Sequence, residues 1–562
     1  MKLYYYHNRF AHAQRNAAGL DYTPAYLPAL IKNLGFSAEE LYPSDVSLLK
    51  AGDMLIIGAE ALSESETTAL SAAIDRGCGV IAFGARAENV FPEVVTGVYS
   101  EDQYATVGYF HFTDSDELLP VLGRFDTMPI VDHALGSIIT KENVAVHTVY
   151  AKLSDKVWYW SFDLPATLLY AADGRPTYGP KNNFPVPVGR VPDSCVLEEN
   201  YDYNIAYADS YLRSVEDILS DAGFVRIWAL PEQNGKICDL ALYFAGDDDA
   251  YSAENDLRAA EAMYKLGLPY HLNLMPVGLE ERFVIDRDQY KRLHELNCET
   301  AIHYNFTAYP FSQEGHRMQM DMYERIFGET SGGPVNHCLV QEGTAAERYR
   351  MQVECGAKSD NNRFQNQLDP ADINAFNLTG FAFGSAFPRF VICDAEHGNR
   401  ELPFCEIYGS YYEPRIYECK PEEYKKIEDY LENGYIYGRP LQLFTHPHYI
   451  SGAAGFDPKP ALRSLEHAKA YVTEKGWNVW YCGPDALGDW WHERSSCTIT
   501  ETTSNGFVLH NPTSRRVTAV LPPGVSQIVI NGQRMPVTAK TVAGRFLTMI
   551  SLGSGRSEIT YL

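Results

Sequence analysis

Residues 238–263 read CDLALYFAGDDDAYSAENDLRAAEAM, and this stretch decides the fold of the central region. An apolar run at 239–246 ends in the consecutive aspartates 247–249, and a helix-like pattern follows in 254–267. Further pairs of a short apolar run and an amphipathic helix continue to residue 496. Such alternation predicts an α/β fold of (β/α) barrel type, complete or incomplete, with the aspartates at the carboxyl end of a strand.

The rest of the chain divides around this barrel. The first part alternates strand and helix, which predicts a doubly wound α/β domain. The last part has short alternating runs separated by Asn-Gly and Pro-Pro-Gly turns, which predicts a small β-sandwich. The predicted domains are 1–165 for the doubly wound domain, 166–236 for a linker and connecting helix, 237–496 for the barrel and 497–562 for the β-sandwich.

Composition restricts the classes of partner and compartment. The 562 residues carry 47 basic and 73 acidic side chains, a net charge of −26 that argues against nucleic acid and anionic membranes. No run reaches the ~18 apolar residues of a membrane helix. The 11 cysteines, an odd number without a CxxC pair, and the lack of an apolar leader favour a cytoplasmic protein, or a secreted one whose leader was removed.

The N-terminal region resembles the glutamine-amidotransferase-like domains of flavodoxin type. In active members of that family a nucleophilic Cys follows a central strand on a tight turn. Here the strand in 79–85 leads into Arg86, and Cys78 precedes the strand. The resemblance therefore implies a non-catalytic domain that serves as a scaffold or as the contact of a homodimer.

Metal-binding residue types occur at the carboxyl ends of the predicted barrel strands. The adjacent carboxylates of 247–249 repel one another unless a cation or a shared proton lies among them. Histidines, of which the chain has only 16, lie at three further strand ends: His303, His337, His446 and His448. Together these residues favour a divalent metal site. The alternative for the aspartates is a turn and a cap of the following helix.

The order of these residues resembles the polysaccharide deacetylase (NodB-like) superfamily of carbohydrate esterases. In that family an Asp-Asp pair ends the first strand, a Glu-x-x-x-His motif follows, and a later apolar strand ends in His. Here 245–249 read AGDDD, 299–303 read ETAIH and 443–448 read LFTHPH. The family's second histidine position holds Thr307, and its third motif falls where His337 stands.

The resemblance implies a metal-dependent hydrolase that removes an N-acetyl or O-acetyl group from an amino sugar or oligosaccharide. It assigns Asp247 as general base and His446 as general acid. It assigns Asp248 and His303 as metal ligands, with the register of the aspartates open by one position. A metal-activated water and a histidine that titrates near neutrality suit the hydrolysis of an acetamide.

Because the second histidine of the family motif is missing, another residue must supply the third ligand of the expected Zn²⁺. Asp249 and His448 are the first candidates, ahead of His337. The residues predicted to contact the carbohydrate are His337, Asp360, Tyr408 and Trp490. Tyr and Trp rings offer a flat apolar surface to a sugar, but they are equally suited to core packing.

Two other functions remain open from the sequence. A glycoside hydrolase on the same barrel would use two carboxylates, such as Asp248 and Glu396, whose separation the sequence does not reveal. A carbohydrate-binding protein without catalysis would explain the loss of the second histidine. Tightly bound metal distinguishes these hypotheses from the deacetylase, because neither of them requires it.

Overall fold

The computed structural model describes residues 1–129, 133–140, 146–179, 188–197, 201–364, 380–410, 421–452, 455 and 457–562. Within these ranges no helix is long and apolar enough to cross a membrane.

Helices and strands occur along the whole described chain. The helices are α1 Arg9–Ala17, α2 Leu27–Leu34, α3 Glu64–Asp75, α4 Leu164–Asp173, α5 Tyr207–Asp221, α6 Ala253–Leu266, α7 Arg287–Glu295, α8 Gln313–Phe327, α9 Ala345–Glu354, α10 Pro421–Tyr437, α11 Pro447–Ser451, α12 Lys459–Glu474 and α13 Pro484–Ser496. Short 3₁₀ helices cover Thr23–Tyr26, Pro43–Leu48, Val191–Ser194, His337–Leu339 and Ala395–His397. The strands of the first half are β1 Leu3–Tyr6, β2 Glu39–Leu41, β3 Met54–Ile57, β4 Gly79–Phe83, β5 Val95–Tyr99, β6 Thr106–Phe112, β7 Leu119–Leu122, β8 Arg124–Thr127, β9 Ala134–Thr140, β10 Val146–Ser154, β11 Val157–Trp160, β12 Arg226–Ile227, β13 Glu232–Gln233, β14 Lys236–Ile237 and β15 Leu240–Asp247. The remaining strands are β16 Tyr270–Leu274, β17 Cys298–Tyr304, β18 Val335–Asn336, β19 Ser359–Phe364, β20 Arg389–Ile392, β21 Glu401–Gly409, β22 Pro440–Phe444, β23 Val479–Cys482, β24 Thr498–Thr503, β25 Gly506–Asn511, β26 Val517–Leu521, β27 Ile528–Ile530, β28 Gln533–Met535, β29 Thr538–Val542, β30 Arg545–Leu552 and β31 Gly555–Tyr561.

The N-terminal part is built on one mixed sheet in the order β2-β1-β3-β4-β11-β10-β9-β6-β7. Strands β1 to β4 and β11 are parallel neighbours, as the alternation of strand and helix predicts. The other half is antiparallel, since links as short as the one between β10 and β11 leave no room for a crossover helix. The predicted doubly wound arrangement therefore describes only the first half of this sheet.

Cys78 lies immediately before β4 and is fully buried. Burial raises the pKa of its thiol to about 12, so it is not a nucleophilic thiolate at neutral pH. We expect the purified protein to release no ammonia from glutamine in a coupled assay, with the Cys78→Ser variant indistinguishable from wild type. Ammonia release that disappeared in Cys78→Ser would show instead that the N-terminal part is a glutaminase.

The central part is built around β15, which is buried along its whole length. It lies in a parallel sheet of order β18-β17-β16-β15-β22, with β23 also paired to β15. Apolar side chains of this sheet and of helices α6, α7, α8, α10 and α12 form one core. A second sheet, β19-β21-β20, contacts the first through β18 and β22. The parallel βα units agree with the prediction, and a closed barrel remains a prediction.

The C-terminal part consists of two antiparallel sheets, β12-β26-β30-β29 and β24-β25-β31-β27-β28. Strand β12 comes from the predicted linker and pairs with β26. Apolar side chains of both sheets share a core with Trp480 and Trp490. The two layers of the predicted sandwich are thus partly built from chain that precedes residue 237.

Candidate active site

The parallel strands bring the predicted polar residues to one edge of the central sheet. Asp247 lies opposite Asn273 in the pairing of β15 with β16, and His303 lies opposite Val335 in the pairing of β17 with β18. Strand β22 is also parallel to β15, so His446, just after it, reaches the same edge. Carboxyl ends of parallel strands are the usual location of active sites in α/β folds.

A tight turn after β15 gives the aspartates different surroundings. Asp249 and Ala250 have φ angles of 48° and 54°, a conformation that is uncommon for residues other than glycine. Asp248 Oδ1 accepts backbone N–H hydrogen bonds from Ala250 at 3.0 Å and Met275 at 2.8 Å. The N-cap of α6 is Ser252, whose side chain accepts a backbone N–H. The alternative in which the aspartates cap this helix is therefore wrong.

Asp249 lies among histidines. Its Oδ1 is 3.5 Å from His303 Nε2 and 3.4 Å from His337 Nδ1, and its Oδ2 is 3.5 Å from His446 Nε2. Asp247 Oδ2 is 3.5 Å from the same nitrogen of His303. We call these five residues, Asp247, Asp249, His303, His337 and His446, the Asp249 cluster.

The spacing within the Asp249 cluster fits a bound cation. Ligands about 2.0–2.2 Å from a tetrahedral Zn²⁺ are about 3.3–3.6 Å apart, as are the atoms around Asp249. His303 Nε2 and His337 Nδ1 are buried and have no hydrogen-bond partner among the described residues. Leaving buried polar atoms unsatisfied is costly. Asp249, His303 and His337 therefore form the group that best fits a divalent cation, and Asp247, Asp249 and His446 form a second group of facing ligand atoms.

Burial and facing charges set the protonation of these ligands. Burial disfavours the Asp249 carboxylate, but His446 and His303 outweigh it and hold its pKa below the ordinary value. Burial, reinforced by His303, lowers the pKa of His337 to about 3. A charged carboxylate and a neutral imidazole are the forms that bind metals, and Asp249 and His337 have these forms. Burial opposes the charge of His303, but Asp247 and Asp249 outweigh it and raise the pKa of His303 above its ordinary value. Burial raises the pKa of Asp248, outside the cluster, to about 7.

A buried chain of hydrogen bonds supports Asp247 from inside the sheet. Asn273 Nδ2 donates to Asp247 Oδ1 at 2.8 Å. His271 Nε2 is 2.9 Å from Asn273 Oδ1, and His271 Nδ1 is 3.1 Å from Glu299 Oε2. Because carboxylates at both ends only accept, His271 donates from both nitrogens and is an imidazolium. Burial opposes this charge, but Asp485 and Glu299 raise the pKa of His271 to about 9.

This chain of hydrogen bonds was not predicted from the sequence, although the sequence contains a signal for it. His271 and Asn273 alternate on β16, a strand that is otherwise apolar and wholly buried. Residues two apart on a strand share a face, so two polar residues at this spacing indicate a polar path through the sheet. Glu299 and His303 share a face of β17 for the same reason.

Three residues predicted to bind carbohydrate lie away from the Asp249 cluster. Asp360 is fully buried and pairs with Arg348, with its Oδ2 3.2 Å from Nε. Tyr408 lines a different cavity. Trp490 is in the core shared with the β-sandwich, where its Nε1 donates to the Ala229 carbonyl at 2.7 Å. The sequence pattern did not distinguish core aromatic residues from subsite aromatic residues.

Two further residues singled out from the sequence also lie outside the Asp249 cluster. They are the candidate metal ligand His448 and Glu396, the second carboxylate of the glycoside hydrolase alternative. His448 is buried on α11, with its ring centroid 5.1 Å from that of His446, but it belongs to none of the three groups of facing ligand atoms found among the described residues. Glu396 is exposed in the 3₁₀ turn Ala395–His397, which packs on α1. No contact within the described residues joins it to Asp248. The tyrosine-rich stretch 406–418 is a further candidate for sugar contacts from the sequence, and its residues 411–418 lie outside the described ranges.

Comparisons with known proteins give only distant similarities. No protein-family model matches the chain, and no curated protein matches it. A solved structure from Bordetella bronchiseptica, described as a polysaccharide deacetylase involved in O-antigen biosynthesis, has 13% identity and a TM-score of 0.25, covering 46% of this chain and 92% of that one. Bacillus subtilis PdaA, a family 4 carbohydrate esterase, has 9% identity and a TM-score of 0.26, covering 51% and 92%.

An α-amylase from Geobacillus thermoleovorans is also similar, with 11% identity and a TM-score of 0.18, covering 57% of this chain and 98% of that one. All these TM-scores are too low to carry an argument about function. The functional argument therefore depends on the geometry of the Asp249 cluster.

Proposed function

We propose that this protein is a metal-dependent hydrolase that removes an N-acetyl or O-acetyl group from a carbohydrate. The observation that carries the proposal is that Asp249 faces His303, His337 and His446 at the carboxyl edge of a parallel sheet, with Asp247 beside them. The substrate class comes from the order of the motifs in the sequence. The residues that would hold the cation are Asp249, His303 and His337. Of the two third-ligand candidates ranked first from the sequence, this set keeps Asp249 and omits His448, and it also omits the predicted ligand Asp248.

A cation bound there supplies a Lewis acid and lowers the pKa of bound water to about 7. Asp247 accepts the proton of the attacking water at Oδ2, because Oδ1 is held by Asn273. His446 Nε2 faces the cluster and delivers a proton to the leaving amine or hydroxyl group.

Acetate release tests the proposal directly. We expect purified protein to release acetate from some member of a panel of N-acetylated and O-acetylated sugars. The activity should disappear with a chelator and return with added Zn²⁺. Absence of tightly bound metal, together with no metal-stimulated acetate release across the panel, would contradict the proposal.

Asn273→Ala is expected to lower turnover about 10- to 100-fold, the range typical of residues that orient a metal-site group. The variant frees Asp247 Oδ1, so the acid limb of the pH–rate profile should shift while the metal content stays at the wild-type level. Asn478→Ala, just before the amino end of β23, is the matched control. An unchanged pH profile with normal turnover would show that Asn273 only fills the core.

His446→Ala is expected to retain metal and to lose about 10²- to 10⁴-fold in turnover, the usual contribution of a general acid. The loss should be largest for an N-acetyl sugar, whose amine is a poor leaving group. It should be smallest for an acetylated phenol, which leaves without protonation. Comparing kcat for the two substrates measures this difference, and equal losses on both would remove His446 from the proton-delivery role.

A further inference from the structure

A separate cavity lies where the N-terminal part, the region of β20 and β21 and the β-sandwich meet. Its volume is about 100 Å³, well above the ~10–15 Å³ that one ordered water requires. Much of its wall is apolar, including Leu30, Leu168, Leu212, Phe383, Trp491 and Val542. Its described lining residues include no member of the Asp249 cluster.

Positive charge exceeds negative charge around this cavity. The arginines are Arg213, Arg226, Arg439, Arg494 and Arg545, and the carboxylates that face them among the described residues are Asp209, Glu216 and Asp217. Arg389 also lines the cavity, but it pairs with Asp173 and Glu406 outside this set. The surplus is unexpected in a chain whose net charge is −26.

Two of these arginines make no direct ion pair with a described residue, although Glu216 acts on both at longer range and Asp209 also acts on Arg213. Arg494 is fully buried, and its guanidinium donates only to three backbone carbonyls. Burial and the nearby Arg226 lower the pKa of Arg494 to about 9, which leaves it charged at neutral pH. Arg213 lies 4.8 Å from the Tyr437 ring centroid and makes no hydrogen bond to a described residue. A buried cation without a direct ion pair is costly, and this applies to Arg494, since Arg213 is only half-buried.

Three of the side chains that line the cavity also carry buried N–H groups without acceptors. Arg226 and Trp228 are each 3% exposed, and neither Arg226 Nε nor Trp228 Nε1 has a hydrogen-bond partner among the described residues. The same is true of Arg545 Nε. Every unsatisfied polar atom on the described lining side chains is thus a donor. An occupant that satisfies them must accept hydrogen bonds.

We propose that this cavity binds a small organic carboxylate with an apolar body. The carboxylate accepts hydrogen bonds from the unsatisfied N–H groups and offsets the surplus positive charge, since guanidinium and carboxylate are well matched. The apolar walls cover the rest of the molecule. Water would satisfy the donors but would leave the surplus of arginines over carboxylates around the cavity unchanged. Tyr408, which the sequence assigned to a carbohydrate site, lines this cavity instead.

Ligand binding tests the proposal without reference to any enzymatic activity. The probes are sodium benzoate and sodium butyrate, with benzyl alcohol and butanol as uncharged counterparts at matched ionic strength. We expect both carboxylates to raise the unfolding temperature saturably and to change tryptophan fluorescence, because Trp228 and Trp491 line the cavity. The alcohols should bind at least about tenfold more weakly, because charge-assisted hydrogen bonds are the stronger ones.

Two variants locate the site. Arg213→Gln removes a positive charge that makes no described hydrogen bond, and Trp228→Phe removes one unsatisfied N–H. Both should weaken benzoate at least about tenfold, whereas Arg258→Gln, an exposed pair partner of Glu254 on α6, should not. Circular dichroism checks that each variant is folded, and Arg213→Lys should restore part of the affinity. No saturable carboxylate binding, equal binding of the alcohols, or equal weakening by Arg258→Gln would each overturn the proposal.

Discussion

His303→Ala is expected to remove both the bound metal and the activity. His303 Nε2 lies 3.5 Å from the carboxylates of Asp247 and Asp249 and has no hydrogen-bond partner in the described structure. Changes in residues that merely orient ligands already cost about 10- to 100-fold, so removal of a ligand should exceed about 100-fold. Metal analysis of the purified variant and acetate release measure the two losses. His337→Ala and Asp249→Ala should behave in the same way.

Variants of the neighbouring residues Asp247, Asp248 and His446 distinguish the proposed metal ligands from the other charged residues of the site. Asp247→Asn should retain metal and lose turnover, because it removes the proposed base. Asp248→Asn should retain metal as well, because Asp248 Oδ1 accepts backbone hydrogen bonds instead of facing the histidines. Loss of metal in Asp248→Asn would instead support the assignment predicted from the sequence, in which Asp248 is a metal ligand. Loss of metal in His446→Ala but not in His337→Ala would place the cation in the other group of facing atoms, Asp247, Asp249 and His446.

Glu406→Gln is expected to lower the free energy of unfolding by about 3–5 kcal/mol, the usual cost of breaking a buried ion pair. Glu406 is fully buried on β21. Its Oε1 accepts from Arg348 at 2.5 Å and Arg363 at 2.9 Å, and its Oε2 accepts from Tyr349 at 2.6 Å and Arg389 at 3.0 Å. Glutamine keeps the shape but leaves three buried arginines short of one negative charge.

The same residue gives the protein a dependence on acid pH. Burial opposes the charge of Glu406, but Arg363, Arg389 and Arg348 outweigh it and lower its pKa to about 2 from an ordinary value of 4.5. Its stabilising contribution is therefore complete above pH 4.5 and is lost as the pH falls towards 2. Chemical denaturation across this window should show a shallower decline for Glu406→Gln than for wild type.

Glu401→Gln is the control for both measurements. Glu401 lies on the same strand, and its ion pair with Lys32 is partly exposed, so its replacement should cost no more than about 1 kcal/mol. Equal destabilisation by Glu401→Gln and Glu406→Gln would show that the buried network contributes no more than an ordinary surface pair.

Much of the secondary structure and the approximate place of the site were predictable from local pattern. The apolar run before Asp247 is β15, and the runs before His303 and His446 are β17 and β22. The apolar pattern of residues 335–340 predicts one strand through His337, but the structure has the short β18 followed by a 3₁₀ turn. That turn brings His337 Nδ1 to Asp249, which the strand prediction did not anticipate.

The sequence by itself determined that strands alternate with helices and that carboxylates and histidines follow several of the strands, because apolar periodicity and residue type are local properties. Only the tertiary structure decided that Asp249, and not Asp248, faces the histidines, since this depends on positive φ angles in one turn and on the register of β15 with its neighbours. Long-range packing also decided the pairing of β12 with the β-sandwich and the gathering of arginines around Glu406. Both join residues that are distant in sequence, so no local pattern reveals them.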